Sequence, residues 1–96
     1  MKAATLFGRL AKGYSFEYIA QDEVYCDVRF VVQMMYEGTL VIKTYYYDEQ
    51  DRMFWLLDKW YIVGGTSRDL SSYMFNQLVE HGHEKHVIDW DGFKRL

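Results

Sequence analysis

The 96 residues suffice for a single domain, residues 1–96, because dividing them would leave two parts each too small to bury a core. Half of the residues are hydrophobic and 26% are charged, which excludes a disordered chain, while 19% are aromatic and suit a core or a binding surface. The formal net charge is −3, and eight acids face three bases between Asp22 and Asp58; this acidic middle disfavours contact with a phosphate backbone.

The chain begins with a predicted amphipathic helix. The apolar residues Leu6, Phe7 and Leu10 follow the spacing of one helical face, and Gly13 is a natural residue for the turn that ends a helix. Aromatic and small apolar residues then occupy every second position of residues 14–20, which predicts a strand.

The strongest strand pattern covers residues 24–36, where apolar side chains again occupy alternate positions. Glu37-Gly38 predicts a tight two-residue turn, because glycine tolerates the positive φ that such hairpins need. Residues 39–47 then return as the partner strand. After the polar loop 48–51, residues 52–63 are predicted to form a third long strand.

The last third of the chain predicts a second helix. Gly64-Gly65 ends the sheet, Thr66 to Asp69 has the form of a capping box, and Gly82 closes the helical pattern that follows. Residues 86–90 are expected to add a short terminal strand. The expected fold is therefore α+β, an antiparallel sheet of four to five strands with an N-terminal and a C-terminal helix, in the order α-β-β-β-β-α-β.

The expected register gives the sheet two apolar faces. A two-residue turn places Tyr36 opposite Thr39. One face is then expected to hold Val28, Phe30, Val32, Met34, Val41 and Tyr45. The other is expected to hold Met35, Leu40, Ile42, Tyr46, Met53, Trp55 and Leu57. Two short helices cover one such face well but hardly both, so either one helix lies on each face, or one face binds another protein or a second copy of the chain.

The segment from His81 to His86 is the candidate for a metal site. His81, His83 and His86 could donate imidazole nitrogens together with a neighbouring carboxylate. The spacing matches no standard site, because Gly82 breaks the helix, and histidines at a helix C-terminus also suit the negative end of its dipole. We therefore predict no metal, and these three residues remain weak candidates.

The Gly64-Gly65 turn resembles the start of a phosphate-binding turn, where helical amides meet an anion. It lacks the glycine patterns of the known nucleotide-binding loops, and a turn followed by a helix cap accounts for its residues. No cofactor is predicted. A metal- or nucleotide-dependent regulator or enzyme, using this turn or the histidine segment, is the alternative function.

Nothing in the sequence predicts a catalytic nucleophile. Cys26, the only cysteine, is expected in mid-strand on an apolar face, where burial would block access to the thiol. The serines of the second predicted helix lack a nucleophile-elbow motif. We therefore predict that the protein is not an enzyme.

A single cysteine also indicates the compartment. It excludes an intramolecular disulfide and a cysteine-based zinc cluster, and it fits a reducing environment. Residues 1–9 lack the apolar stretch of a signal peptide, and no segment approaches the roughly 18 apolar residues of a membrane span. We expect a cytoplasmic protein that makes no membrane contact.

Aromatic residues on the predicted sheet, next to acids at its hairpin loops, predict a protein-binding module. The rings could stack unpaired bases, but the acidic surroundings favour a protein partner with a basic surface. The predicted partner-binding residues are Tyr45, Tyr46, Tyr47, Trp55, Glu37, Asp48, Glu49 and Asp51. By analogy with small acidic inhibitors, this predicts a phage- or plasmid-type anti-defence protein, anti-CRISPR-like, or a host-takeover protein. A homodimer or other self-associating subunit is a further alternative.

Overall fold

A computed structural model describes residues 1–96 and contains two helices and a five-stranded antiparallel sheet. Its elements in chain order are α1 (Ala3–Ala11), β1 (Phe16–Ala20), β2 (Val28–Met35), a 3-10 turn (Tyr36–Gly38), β3 (Thr39–Asp48), β4 (Met53–Val63), α2 (Ser67–Glu80), a second 3-10 turn (Trp90–Gly92) and β5 (Lys94–Arg95). The strands lie in the order β4-β3-β2-β1-β5. The predicted α+β fold and its element order are confirmed.

The predicted helix boundaries rest on local chemistry that the structure confirms. Gly13 has a φ of 95° just after α1. At the start of α2, the side chain of Thr66 accepts the amide of Asp69, while the carboxylate of Asp69 accepts the amide of Thr66. These reciprocal bonds satisfy amides that have no partner within the helix. Neither helix combines the length and apolar character that a membrane-spanning segment needs.

Both helices lie on the same face of the sheet, which rules out the arrangement with one helix on each face. The core consists of the apolar side chains of one sheet face, the helix residues that pack on it, and Phe93 before β5: Leu6, Leu10, Phe16, Tyr18, Ala20, Val28, Phe30, Val32, Leu40, Ile42, Leu70, Met74, Leu78 and Phe93. The opposite face has no helix over it. We call this second side the open face.

The predicted register between β2 and β3 is wrong by one residue. The turn contains three residues, Tyr36–Gly38, and both Glu37 and Gly38 have a φ of 77°. Met35, rather than Tyr36, therefore lies opposite Thr39. Because side chains alternate between faces, this single residue moves all of β3 to the other side.

The slip in register changes which residues of β3 are in the core. Leu40 and Ile42 are buried beneath the helices with the side chains of β2, whereas Val41 and Tyr45 belong to the open face. The pairing of β3 with β4 also differs from the prediction, because the connecting loop is 49–52 rather than 48–51, and Trp55 therefore lies opposite Tyr46. Farther from that loop, a bulge beside Thr44 and Tyr45 leaves Leu57 without a partner.

Two predicted strand segments are loops. Residues 21–27 precede β2, since the carboxylate of Asp22 accepts the amide of Val24 and holds the chain in a turn. Cys26 is therefore exposed in a loop, not buried in mid-strand as predicted. The terminal strand is Lys94–Arg95 instead of residues 86–90, because Asp89 accepts the amide of Asp91 and starts a 3-10 turn.

Candidate functional site

Three segments of the chain meet at one end of the sheet. They are the loop 21–27, the turn 49–52 with the adjoining Asp48, and residues 81–85 after α2. The amide of Tyr47 donates to the carbonyl oxygen of Asp27 at 3.0 Å, and Nε2 of His83 donates to that of Cys26 at 2.7 Å. We call this region the acidic end.

Carboxylates dominate the acidic end. It contains seven acidic residues: Asp22, Glu23, Asp27, Asp48, Glu49, Asp51 and Glu84. Arg52 and Lys85 are its only basic residues other than histidine. One carboxylate oxygen of Asp48 already accepts the amides of Gln50 and Asp51, and these hydrogen bonds shape the turn. Glu49 and Asp51 are exposed and make no such bond, so their charges are available to a partner.

Aromatic side chains lie among these carboxylates, on the helix side of the sheet. Tyr46 stacks on His81, with ring centroids 6.2 Å apart and planes inclined by 13°. Its cross-strand neighbour Trp55 leaves 45% of its surface exposed. Tyr25 packs on the other side of the histidine segment, 5.8 Å from the ring of His83. An exposed tryptophan and an ordered tyrosine therefore lie within an acidic rim.

The structure divides the predicted partner-binding residues into three groups. Tyr46 and Trp55, with Asp48, Glu49 and Asp51, lie together at the acidic end. Tyr45 and Tyr47 belong to the open face, because successive side chains of β3 alternate between the faces. Glu37 lies at the turn on the opposite end of β3, about 30 Å away along a ten-residue strand.

The open face is a second candidate surface, made by one set of alternating side chains on all five strands. Its members are Glu17, Ile19, Arg29, Val31, Gln33, Met35, Thr39, Val41, Lys43, Tyr45, Tyr47, Phe54, Leu56, Lys59, Tyr61, Val63 and Lys94. Val31 and Val41 are buried but lie outside the core cluster, since neighbouring side chains on this face cover them. The face is therefore an apolar floor bordered by aromatic and charged groups.

The charges on the open face are mostly positive. Its four bases are Arg29, Lys43, Lys59 and Lys94, and its only acid is Glu17. Two of the cations cover aromatic rings: the guanidinium of Arg29 lies 5.2 Å from the centroid of Tyr45, and the ammonium of Lys59 lies 5.2 Å from that of Tyr61. Glu17 is bound to Arg29 at 2.8 Å.

Sequence reasoning missed this basic surface. The charge summed along residues 22–58 is acidic, but the sum does not separate residues of loops from residues that share a face. The available signal was the alternation itself, because Arg29, Lys43 and Tyr45 share one face once the register is known. The register in turn depended on the length of one turn.

The three histidines that were weak candidates for metal ligands each have another partner. His83 is buried and donates to the Cys26 carbonyl, His81 stacks on Tyr46, and Nε2 of His86 lies 2.9 Å from the hydroxyl of Tyr18. Burial, together with the neighbouring His83, lowers the pKa of His86 below its usual 6.5. No group of three or more His, Cys, Asp or Glu side chains converges as a metal site.

Packing and helix capping explain the Gly64-Gly65 turn without a bound anion. A Cβ at Gly65 would lie 2.8 Å from that of Leu40, so the turn packs directly against β3. The amide of Thr66, which would face an anion at the start of α2, already donates to the carboxylate of Asp69 at 2.8 Å. The side chain of Asp69 thus occupies the place that a bound anion would take.

A hydrogen-bonded cluster lies beneath α2. The hydroxyl of Tyr73 accepts from the buried Thr44 and donates to Oδ2 of Asp58, which also accepts from the indole of Trp60 at 2.6 Å. Burial raises the pKa of Tyr73 well above that of an ordinary tyrosine, and the nearby Asp58 adds to the effect. The cluster therefore holds a protonated donor and joins α2 to β4.

Neither surface concavities nor known proteins point to a further site. The largest concavity lies between the end of α1 and the turn 36–38, with Lys12 and Glu37 as its charged side chains. Comparison with protein-family models, curated proteins and solved structures finds no match to this chain. The acidic end and the open face are the two surfaces from which a function can be argued.

Proposed function

We propose that the protein is a non-enzymatic binding module whose acidic end docks on the basic surface of another protein. The observation that carries the proposal is the position of Trp55, which is 45% exposed next to Tyr46 and within the carboxylate rim. A half-exposed tryptophan loses its apolar contact with water when a partner covers it. Tryptophan and tyrosine are also the residues that most often dominate the energy of protein interfaces.

The aromatic part of the acidic end is ordered before any partner arrives. Stacking on His81 holds the ring of Tyr46, and Tyr25 is packed so closely on Gly82 that a Cβ there would lie 2.5 Å from its ring. Side chains that are already fixed lose less conformational entropy on binding. Met53, half-exposed at the start of β4, extends the same apolar surface.

The carboxylates supply attraction at longer range. Seven acids against two bases give this end a strong local excess of negative charge. Such a field accelerates encounters with a basic partner and disfavours acidic ones, while the rings supply most of the affinity after contact. A basic groove on a nucleic-acid-binding protein has the matching charge. By analogy, the protein is proposed as an inhibitor of phage or plasmid type, acting in anti-defence, in an anti-CRISPR-like manner, or in host takeover.

The test compares two charge-reversal variants of equal net charge. Glu49→Lys/Asp51→Lys changes the acidic end, and Glu37→Lys/Glu80→Lys changes two exposed acids outside it. Immobilised proteins are exposed to lysate of the source cells, and captured proteins are quantified by mass spectrometry. We expect a basic partner that is captured by the wild type and by the second variant, and reduced about tenfold or more by the first and by Trp55→Ala.

Two results would contradict this proposal. Equal capture by the two charge-reversal variants would show that acids at this end do not select the partner. A change in elution volume with concentration, abolished by Trp55→Ala, would instead assign the surface to self-association, and sizing chromatography across concentrations measures it.

A further inference from the structure

The open face has a charge opposite to that of the whole protein. Four bases and one acid give this face a formal charge of +3, whereas the chain carries −3. The single acid, Glu17, is already bound to Arg29. The remaining positive charge lies on Lys43, Lys59 and Lys94. Four of the eleven bases therefore share the uncovered side of the sheet with only one of the fourteen acids.

Lys43 and Lys59 are directly opposite each other on β3 and β4. On β2, the residue opposite Lys43 is Val31. Along β3, the neighbours of Lys43 on the same face are Val41 and Tyr45. On the open face no acid adjoins the pair; Asp58, next to Lys59 along the chain, bonds to Tyr73 on the helix side. The two ion pairs of the protein join other groups, Arg29 to Glu17 and the amino group of Met1 to Asp91. Like charges directly opposite on a sheet are destabilising, and an anion bound between them removes that cost.

Aromatic rings lie on both sides of the lysine pair. Tyr45 is two residues from Lys43 toward the acidic end, and Tyr61 is two residues from Lys59 in the other direction. The rings are therefore separated by about four residues of strand, or about 13 Å. Tyr61 is 52% exposed, and each ring has a cation beside it, Arg29 or Lys59.

We propose that the open face binds single-stranded nucleic acid. A backbone phosphate lies between Lys43 and Lys59, and unpaired bases stack on the parts of the Tyr45 and Tyr61 rings that Arg29 and Lys59 leave uncovered. A flat surface that combines cations with aromatic rings fits a polyanion whose units are themselves planar. An acidic peptide would satisfy the lysines but need not carry aromatic groups, whereas every unit of a single strand carries a base; duplex bases are already stacked on one another.

The acids of residues 22–58, which led us to expect no contact with nucleic acid, do not lie on the open face. They lie at the loops or, like Asp58, on the helix side of the sheet. The nucleic-acid surface also lies on a different side of the sheet from Trp55 and Tyr46. It therefore goes beyond the proposed function, and either proposal can fail without the other.

The experiment measures fluorescence anisotropy of a labelled single strand of about 12 nucleotides, a length within the site sizes of small binding domains. Lys43→Gln/Lys59→Gln is compared with Lys12→Gln/Arg68→Gln, which removes the same charge from exposed positions on the helix side. The first variant is expected to bind about tenfold or more weakly. Its plot of log K against log salt concentration should be shallower by about 0.7, the value for one phosphate contact to a single strand.

The rings are tested with Tyr61→Leu, which keeps an apolar side chain at an exposed position and removes the stacking surface. It is expected to weaken binding about tenfold. Circular dichroism confirms that each variant is folded. Three results would overturn the proposal: no binding at low salt, equal weakening by both glutamine pairs, or no effect of Tyr61→Leu. Equal competition by polyglutamate of matched charge would also overturn it and assign the face to an acidic protein.

Discussion

The hydroxyl of Tyr73 on α2 donates a hydrogen bond to Oδ2 of Asp58 on β4, at a distance of 3.1 Å. The same carboxylate oxygen accepts the indole of Trp60, and the Tyr73 oxygen accepts the hydroxyl of the fully buried Thr44. The carboxylate of Asp58, in the middle of β4 beside a bulge, therefore joins α2 to this edge strand of the sheet.

Removing the Tyr73 hydroxyl is expected to destabilise the fold. In Tyr73→Phe, Thr44 loses its acceptor in a buried position and Asp58 loses a donor, so the free energy of unfolding should fall by about 1–3 kcal/mol. Urea denaturation measures it. The matched control is Tyr61→Phe, whose exposed hydroxyl has no partner in the protein; it should change stability by less than about 0.5 kcal/mol. Similar losses in both variants would refute a special role for the cluster.

Replacing one lysine of the cross-strand pair is expected to stabilise the protein. Lys43→Gln removes the repulsion from Lys59 and should raise the free energy of unfolding by about 0.2–1 kcal/mol at low salt. Salt screens the repulsion in the wild type, so the difference should shrink as salt is added. Lys12→Gln, outside the sheet, serves as the control. A Lys43→Gln protein less stable than the wild type would show that the pair carries no such cost.

His86 should make the protein less stable in acid. Nε2 of His86 lies 2.9 Å from the hydroxyl of Tyr18 in a partly buried position, and the neighbouring His83 also disfavours a positive charge on its ring. The folded protein thus holds the pKa of His86 below the usual 6.5, and the unfolded chain binds a proton more readily. Stability is therefore expected to fall as pH decreases through 6.5, until the folded-state pKa is passed.

The His86→Gln variant isolates that effect. It should show a smaller loss of unfolding free energy than the wild type between neutral pH and pH values below the folded-state pKa of His86. His81→Gln, at a ring that is only half-buried and bonded to no side chain, is the comparison. Identical pH profiles for the wild type and His86→Gln would contradict the assignment.

Two glycines with the same backbone conformation are expected to differ in their tolerance of alanine. Gly82 and Gly13 have φ values of 85° and 95°, so alanine is strained by about 1 kcal/mol at either position. A Cβ at Gly82 would also meet the ring of Tyr25 at 2.5 Å, whereas one at Gly13 meets nothing within 4 Å. Gly82→Ala should therefore cost about 2–4 kcal/mol and Gly13→Ala about 1 kcal/mol. Thermal unfolding of both variants measures the two losses of stability, and equal losses would be inconsistent with tight packing of Tyr25.

Much of the fold could be predicted because its signals are local. The apolar spacing of Leu6 and Leu10, the capping pair Thr66 and Asp69, and the alternation within β2 each depend on residues a few positions apart. Predictions failed where a polar side chain redirected the backbone. Asp22 and Asp89 accept amides two residues ahead, and these turns replace the strand ends that alternation alone predicted.

The candidate sites could be predicted only in part. The aromatic and acidic residues of the acidic end were recognised by type, but their separation from Tyr45, Tyr47 and Glu37 depends on which face and which end of β3 each occupies. The basic open face was missed altogether. Its lysines come together only through pairing between strands.

The amino-acid sequence by itself determined the order of the elements and the ends of both helices, because periodicity, capping and glycine conformations act over a few residues. Only the tertiary structure decided that both helices share one face and that the other carries Lys43, Lys59 and Tyr61. The residues that β3 presents on each face are set by the length of the turn at Tyr36–Gly38. One residue more or less there moves every side chain of β3 across the sheet, and the pairing of whole strands, not any local pattern, selects the arrangement.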